Sequence, residues 1–284
     1  MSSRIDTLRH RLTEISRITD AEWLRSLDDR KRRELEFHDR DRDRSRIESM
    51  DSDTYERMYG NKKYYKATHL SKRYVEDWIR TTSPKKVVLD YACGNGAGAI
   101  SAAQAGASLA IGIDISPVSV QNATNDAKAA GVGDRCIFVQ ADAENTKLPD
   151  SSVDVVLCNG MLHHLDLSFA FPELRRIMAP GGRLLAVEAL DYNPLIKLYR
   201  VMTPEMRTQW ERAHILSLKD LRFARRFFDV GEVRYWHITS IVGPHIPSLM
   251  PLLDVVDKTL TRIPVVRLMA WIFTFELLSL KLHD

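Results

Sequence analysis

The sequence has few cysteines, little net charge and no long apolar run. Only three of its 284 residues are cysteines, Cys93, Cys136 and Cys158. They are odd in number and lack metal-ligand spacing, so we predict reduced, buried thiols and no metal site. The 41 basic and 38 acidic residues give a net charge of +3, which offers no general attraction for a nucleic acid. The length is sufficient for one large domain with appendages.

Membrane and targeting signals are also scarce. A membrane span needs about 20 mainly apolar residues, whereas Arg262, Pro264, Arg267 and Glu276 interrupt the apolar tail. The amino terminus has arginines among acids and no apolar run, so the expected location is the cytoplasm. Peripheral membrane contact through residues 246–256 or the last segment stays open.

The most informative segment is an apolar strand that runs into an acid and a loop of small residues. Residues 87–89 precede Asp90, and the small residues Ala92, Gly94, Gly96 and Gly98 follow at every second position. Glycine carries no Cβ, so this loop can turn sharply and approach a ligand closely. A tight turn without a ligand is the alternative.

Four further apolar runs indicate a sheet. They cover residues 109–113, 136–140, 153–158 and 182–190, and a turn at 179–182 precedes the last. Asp114, Asp142 and Asn159 follow the first three. Asp114 lies about twenty residues beyond the glycines, where a carboxylate can bind both ribose hydroxyls. The alternation with helix-compatible sequence predicts a doubly wound, mostly parallel α/β sheet with a ligand site at the strand carboxyl ends.

Residues 70 to 190 resemble the class I S-adenosylmethionine-dependent methyltransferases. The resemblance rests on the acid and small-residue loop, the acids that end the next strands and the Pro-Gly-Gly turn at 180–182, although Ala92 replaces a common glycine. It implies a seven-stranded Rossmann-like fold and S-adenosyl-L-methionine as cofactor. The implied cofactor-binding residues are Tyr65, Asp90, Ala92, Gly94, Gly96, Asp114, Ile115, Asp142, Ala143 and Asn159. Asp90 and the loop are expected at the amino-acid end of the cofactor, Asp114 at the ribose and Asp142 at the adenine amino group.

A nicotinamide-dependent dehydrogenase is the main rival for this loop. Its G-x-G-x-x-G fingerprint opens directly from the strand, whereas here Asp90 comes first and the glycines fall at every second position. A carboxylate at that point suits a positively charged amino group and repels a pyrophosphate. The loop therefore favours the methyltransferase cofactor.

We expect four parts along the chain. They are an amino-terminal helical arm or lid (1–70), the cofactor-binding core (71–190), a substrate-lid insertion (191–216) and the carboxyl-terminal completion of the sheet (217–284). The arm's Ile5, Leu8, Leu12 and Ile15 share one helix face, which suits either packing on the core or a homo-oligomer contact. Alternating charges from residue 31 to 46 predict a solvated, salt-bridged helix.

The remaining elements are assigned more simply. We predict a helix at 218–228, a sixth strand at 230–239 and a final antiparallel strand within 271–282. Tyr59, Tyr64 and Tyr65 are candidate lid residues, or anchors of a surface helix.

The loop after the fourth strand is the expected place of methyl delivery. It carries His163 and His164, either of which could be a general base or could fix the loop's shape. Other candidate bases are Glu188, Asp191, His214 and His38, whereas His237 and His245 are predicted to be structural. The insertion offers Tyr192, Tyr199 and Trp210 as substrate residues, and Arg200, Arg207 and Arg212 as partners for an acidic head group.

The expected function is methyl transfer to a hydrophobic small molecule, at oxygen. Methylation of an electron-rich carbon, such as an isoprenoid double bond, stays open because aromatic faces could stabilise the resulting cation. Use of the cofactor as a scaffold for a rearrangement is a third alternative.

Overall fold

A seven-stranded sheet with helices on both faces organises the computed structural model, which describes residues 2–279. The strands are β1 (Val87–Tyr91), β2 (Leu109–Asp114), β3 (Cys136–Gln140), β4 (Val153–Asn159), β5 (Met178–Ala189), β6 (Asp229–Trp236) and β7 (Ile272–Leu278). Their order is β3-β2-β1-β4-β5-β7-β6. Strands β1 to β5 run parallel, and β7 is antiparallel to both its neighbours. The predicted fold class is therefore confirmed.

Thirteen α-helices accompany the described strands. They are α1 (Ser2–Ile15), α2 (Asp20–Ser26), α3 (Asp29–Arg42), α4 (Arg44–Glu48), α5 (Ser52–Tyr59), α6 (His69–Thr82), α7 (Ala97–Gln104), α8 (Pro117–Ala129), α9 (Leu167–Ile177), α10 (Pro194–Met202), α11 (Gln209–Ala213), α12 (Leu218–Ala224) and α13 (Met250–Leu260). In residues 2–279, no helix is both long and apolar enough to cross a bilayer.

Most strand predictions hold, with shifts at the ends. The predicted turn at 179–182 is an irregularity within β5, where the pairing with β4 changes register. Strand β6 ends at Trp236 rather than at residue 239, since His237 has a φ of 64° and turns the chain. Helix α12 ends at Ala224 rather than at residue 228. Residues 280–282 of the predicted last strand lie outside the described part of the chain.

The buried strand β1 divides the core into two layers. Val87, Leu89 and Tyr91 belong to the layer that also holds α9, whereas Val88 belongs to the layer of α6, α7 and α8. Since alternate residues of a strand point to opposite faces, the apolar run fills both layers. Polar residues are therefore left to the carboxyl ends of the strands.

The amino-terminal arm packs on this core. Leu8 and Leu12 of α1 are fully buried in the sheet's main cluster. Trp23, Leu27 and Leu35 form a smaller cluster against Ile115. The apolar face of α1 is thus used within the chain, and the second cluster holds α3 beside the end of β2.

Candidate active site

The loop between β1 and α7 is shaped by three glycines with different tasks. Gly94 has a φ of 51° and lies in the wall of a cleft at the strand ends. A Cβ at Gly96 would lie 2.6 Å from the Phe138 ring, and a Cβ at Gly98 would lie 2.7 Å from the carboxylate of Asp90. Gly94 therefore permits approach from the cleft, whereas Gly96 and Gly98 permit close packing behind the loop.

Asp90 lies behind the loop. Its carboxylate accepts the N–H of Ala99, and it is not among the residues lining the cleft. Burial raises the pKa of Asp90 to about 7. Asp90 thus lies beneath α7 and supports the loop, and its place at the amino-acid end of the cofactor stays a prediction.

The other strand-end acids line the cleft with Ala92, Gly94, Ile115 and Ala143. Asp114 accepts N–H groups from Gly94 and Ser116 at 2.8 and 2.9 Å. Asp142 accepts the N–H of Glu144 at 2.9 Å. These bonds fix both carboxylates at one edge of the sheet.

Helix α3 covers this cleft, contrary to the prediction of a solvated helix. Lys31 donates to Asp142 at 2.7 Å, and Arg30 holds both oxygens of Glu144 at 2.6 and 2.8 Å. Burial opposes protonation of Lys31, but Asp142 and Glu144 raise its pKa above the usual range. The remaining cavity is only about 40 Å³. The charge pattern alone predicted that these basic side chains face water, whereas in the structure they pair with the acids of the cleft.

A second cavity of about 380 Å³ continues from the cleft at the ends of β4 and β5, and we call it the transfer chamber. His38, Arg42 and His164 line both spaces. Asn159, Tyr65, His163, Glu188 and Glu211 also line the chamber. Asn159 and Tyr65 thus lie in the chamber and not in the cleft.

His163 and Glu188 form a buried dyad in this chamber. Glu188 Oε2 lies 2.6 Å from His163 Nδ1, while Oε1 accepts the N–H groups of Met161 and Leu162 at 2.8 and 2.7 Å. The two backbone donors fix the orientation of the Glu188 side chain. Burial opposes protonation of His163, but the charge of Glu188 and its hydrogen bond raise the pKa of His163 above the usual value. Glu188 therefore orients His163 with the proton on Nδ1 and the lone pair on Nε2.

His164 occupies a different environment. Its Nδ1 lies 2.9 Å from Glu34, a buried residue of α3. Burial and the neighbouring His163 lower the pKa of His164 to about 3. His164 is therefore neutral, and its contact with Glu34 ties α3 to the loop after β4.

A third cavity, also about 380 Å³, adjoins the transfer chamber, and we call it the acceptor cavity. Tyr65, His163, Glu211 and Trp271 line both spaces. Aromatic and aliphatic side chains make up much of the remaining wall, including Tyr64, Leu195, Ile196, Tyr199, Ile238 and Ile241. Arg200 and Arg207 add two guanidinium groups. His163 therefore lies at the junction of the transfer chamber and the acceptor cavity.

Several predicted site residues lie elsewhere, and among them Asp191 and Arg212 line none of the three cavities. The hydroxyl of Tyr192 accepts the N–H of Leu218, and its ring packs on the main core. Trp210 stacks on His214 at 3.7 Å and lies beneath Arg30. His214 is exposed and bonds the carbonyl of Trp210. Tyr192, Trp210 and His214 line neither the transfer chamber nor the acceptor cavity.

Some important residues were not predicted from the sequence. Arg30, Lys31 and Glu34 reach the cleft from α3, and Glu211 Oε1 lies 3.9 Å from His163 Nε2. Two groups also bring potential metal ligands within 4.8 Å of one another, Glu34 with His38 and His164, and Glu211 with His163 and His164. The sequence spacing gave no indication of either group, since each joins residues distant along the chain.

Part of the chain matches known methyltransferases. Residues 89–186 match the family described as a methyltransferase domain. The chain is 42% identical over 98 residues to 27-O-demethylrifamycin SV methyltransferase of Amycolatopsis mediterranei, covering 34% of this chain and 36% of that protein. It is 38% identical over 91 residues to a ubiquinone/menaquinone biosynthesis C-methyltransferase of Hahella chejuensis, covering 31% and 36%. The chain thus spans about a third of the length of these relatives.

A structural neighbour covers more of the chain. Geranyl diphosphate C-methyltransferase from Streptomyces coelicolor has a TM-score of 0.55, covering 89% of this chain and 99% of that one. The two sequences are only 12% identical, so this likeness shows a shared fold and nothing further. Residues 89–186 thus match a methyltransferase domain, and the strand order agrees with the fold of this structural neighbour.

Proposed function

We propose that this protein transfers a methyl group from S-adenosyl-L-methionine to an oxygen atom of a hydrophobic small molecule, with His163 as general base. The observation that carries the proposal is the 2.6 Å contact between His163 Nδ1 and Glu188, at the junction of the transfer chamber and the acceptor cavity. An oxygen nucleophile needs a base to take its proton. The dyad supplies one beside a largely apolar cavity.

The cleft residues suit the proposed cofactor. Asp114 can accept ribose hydroxyls, Asp142 can accept the adenine amino group, and Gly94 leaves room for close backbone approach. When bound, S-adenosylmethionine supplies a methyl group on an electrophilic sulfonium. A volume of about 40 Å³ is below the several hundred Å³ of typical ligand pockets, so the side chains of α3 must shift on binding. This movement makes the arm (1–70) a proposed lid.

The protein's own contribution is positioning and proton transfer. Glu188 holds His163 so that Nε2 can take the hydroxyl proton, and Glu188 stabilises the imidazolium that forms. The walls of the chamber limit water and orient the nucleophile, and such positioning can supply much of the rate. His163 is therefore the proposed catalytic residue, and Glu188 its positioning residue.

The insertion is the proposed second lid, with a role in access. Its helix α10 lines the acceptor cavity and exposes Leu195, Leu198 and Met202, while Leu252 and Val255 of α13 are also exposed. Exposed apolar surface beside a cavity suits a lipid-like acceptor. We propose peripheral membrane contact through these side chains.

Methylation at carbon is the second candidate. Tyr65, Tyr199 and Trp271 place aromatic rings in the acceptor cavity wall, and ring faces could stabilise a carbocation. Such a reaction would need the aromatic side chains more than it needs His163.

Methyl-labelled cofactor incubated with a pool of hydrophobic hydroxyl compounds and alkenes tests these proposals. For oxygen transfer, His163→Ala should lower the rate about 100-fold or more, whereas the exposed His214→Ala should leave it unchanged. If His163→Ala is fully active and Tyr199→Leu is inactive with unchanged cofactor affinity, the carbon proposal gains. Tight cofactor binding without label transfer to any acceptor would instead favour the scaffold role.

A further inference from the structure

The largely buried side chain of Arg200 makes no hydrogen bond within the part of the chain that the structure describes. Its side chain is only 11% exposed, and its Nη1 atom is buried without a partner in the described residues. The nearest acid is Asp191, 3.5 Å away, and Lys197 holds the other oxygen of that acid at 2.9 Å. Since an arginine has five N–H donors, this one retains donor capacity inside an apolar cavity.

The neighbouring arginines do not share this condition. Arg207 donates to the backbone and side chain of Thr203, both at 3.1 Å, and approaches Glu211 at 3.5 Å. Arg212 is exposed on α11. Burial and the positive charge of Arg207 lower the pKa of Arg200, which indicates that its charge is poorly compensated. Of the three arginines in the insertion, Arg200 alone lies in the cavity wall without a hydrogen bond to residues 2–279.

We propose that Arg200 binds a carboxylate of the acceptor, so that the substrate is an amphipathic acid with its apolar part in the acceptor cavity. This inference rests on the proposed function, because that proposal places the methyl acceptor in the acceptor cavity. A guanidinium edge matches the two oxygens of a carboxylate. Asp191 and Glu211 lie in the same region, so a singly charged carboxylate meets less repulsion there than a doubly charged phosphate.

Paired probes test the charge requirement directly. Titration calorimetry would compare decanoate with 1-decanol, which shares the apolar chain but lacks the charge. The wild-type protein should bind decanoate about tenfold or more tightly than decanol. Arg200→Gln should remove that preference and leave decanol affinity unchanged. The matched control Arg212→Gln, which removes the same charge at an exposed position, should keep the preference.

A stability measurement separates binding from a structural role. Methionine has a similar length and no charge, so it removes the cost of keeping a guanidinium away from water, while Lys197 still pairs with Asp191. Arg200→Met should therefore maintain or raise the Tm, and Arg200→Lys provides a second charged variant if Arg200→Gln does not fold. Lysine lacks the planar fork, so it should lose most of the preference for decanoate.

Several results would overturn the inference. These are equal affinity of the wild type for both probes, no decanoate binding at millimolar concentration, equal losses for both probes in Arg200→Gln, or a large fall in Tm for Arg200→Met. The binding assay needs no turnover. An Arg200-dependent preference without methyl transfer would therefore refute the proposed function alone, whereas methyl transfer that is unaffected in Arg200→Gln would refute the carboxylate site alone.

Discussion

Replacement of Glu188 by glutamine tests the proposed base without removing it. In the wild type, one Glu188 oxygen accepts two backbone N–H groups and the other contacts His163 Nδ1. If the glutamine oxygen keeps the backbone bonds, its amide N–H groups face Nδ1. The imidazole must then carry its proton on Nε2, and the lone pair no longer faces the acceptor.

We expect Glu188→Gln to lower kcat by about 10²- to 10⁴-fold, the usual contribution of general base catalysis. The pH profile gives a second readout. The pKa of His163 is raised, so wild-type activity should fall as pH drops through a value above the roughly 6.5 of a free imidazole. Loss of the carboxylate charge should move this acid limb to lower pH.

The assay is label transfer from methyl-labelled cofactor across pH 5 to 9. Glu173→Gln is a matched control, because Glu173 is also buried and accepts a backbone N–H, from Thr146, but lies outside the three cavities. An unchanged kcat and acid limb in Glu188→Gln, with cofactor affinity retained, would refute the dyad as the source of the base.

Two further predictions concern the amino-terminal arm. Lys31→Met should tighten S-adenosylhomocysteine binding about 3- to 10-fold, because the 2.7 Å ion pair to Asp142 no longer has to break. Calorimetry measures this affinity, with the exposed Lys219→Met as the control. Weaker binding to Lys31→Met would instead make Lys31 a direct ligand contact. Leu12→Ala should lower the free energy of unfolding by about 2–5 kcal/mol without changing the sedimentation coefficient, since Leu12 is 1% exposed in the chain's own core; unchanged stability with a dissociated oligomer would favour an oligomer contact.

The sheet was predictable because its signals are local. The run 136–140 follows Arg135 and ends in Gln140, and β3 occupies the same five positions. Strands buried on both faces are continuous apolar runs, so their number and order along the chain follow from the sequence. The strand ends differ from the prediction where the backbone turns. Strand β6, for example, ends just before His237, which has a positive φ.

The covering of the cleft was not predictable in the same way. Alternating charges on α3 have the same pattern whether they face water or acids, and Lys31 meets Asp142 across 111 positions of sequence. Helices α10 and α11, of nine and five residues, are too short for a clear helical period. The sequence therefore could not show that Tyr199 lines the acceptor cavity and that Trp210 of the same insertion does not.

Calorimetric titration with S-adenosylhomocysteine tests the central claim most directly, because the cleft, the transfer chamber and the dyad acquire their proposed roles only if the cofactor binds. We predict one equivalent bound to the wild type, and affinity weakened about tenfold or more in Asp114→Asn, which loses charge-assisted hydrogen bonds to the ribose. The exposed Asp229→Asn should bind as the wild type does. No binding to the wild type, or binding of a nicotinamide dinucleotide in its place, would contradict the account.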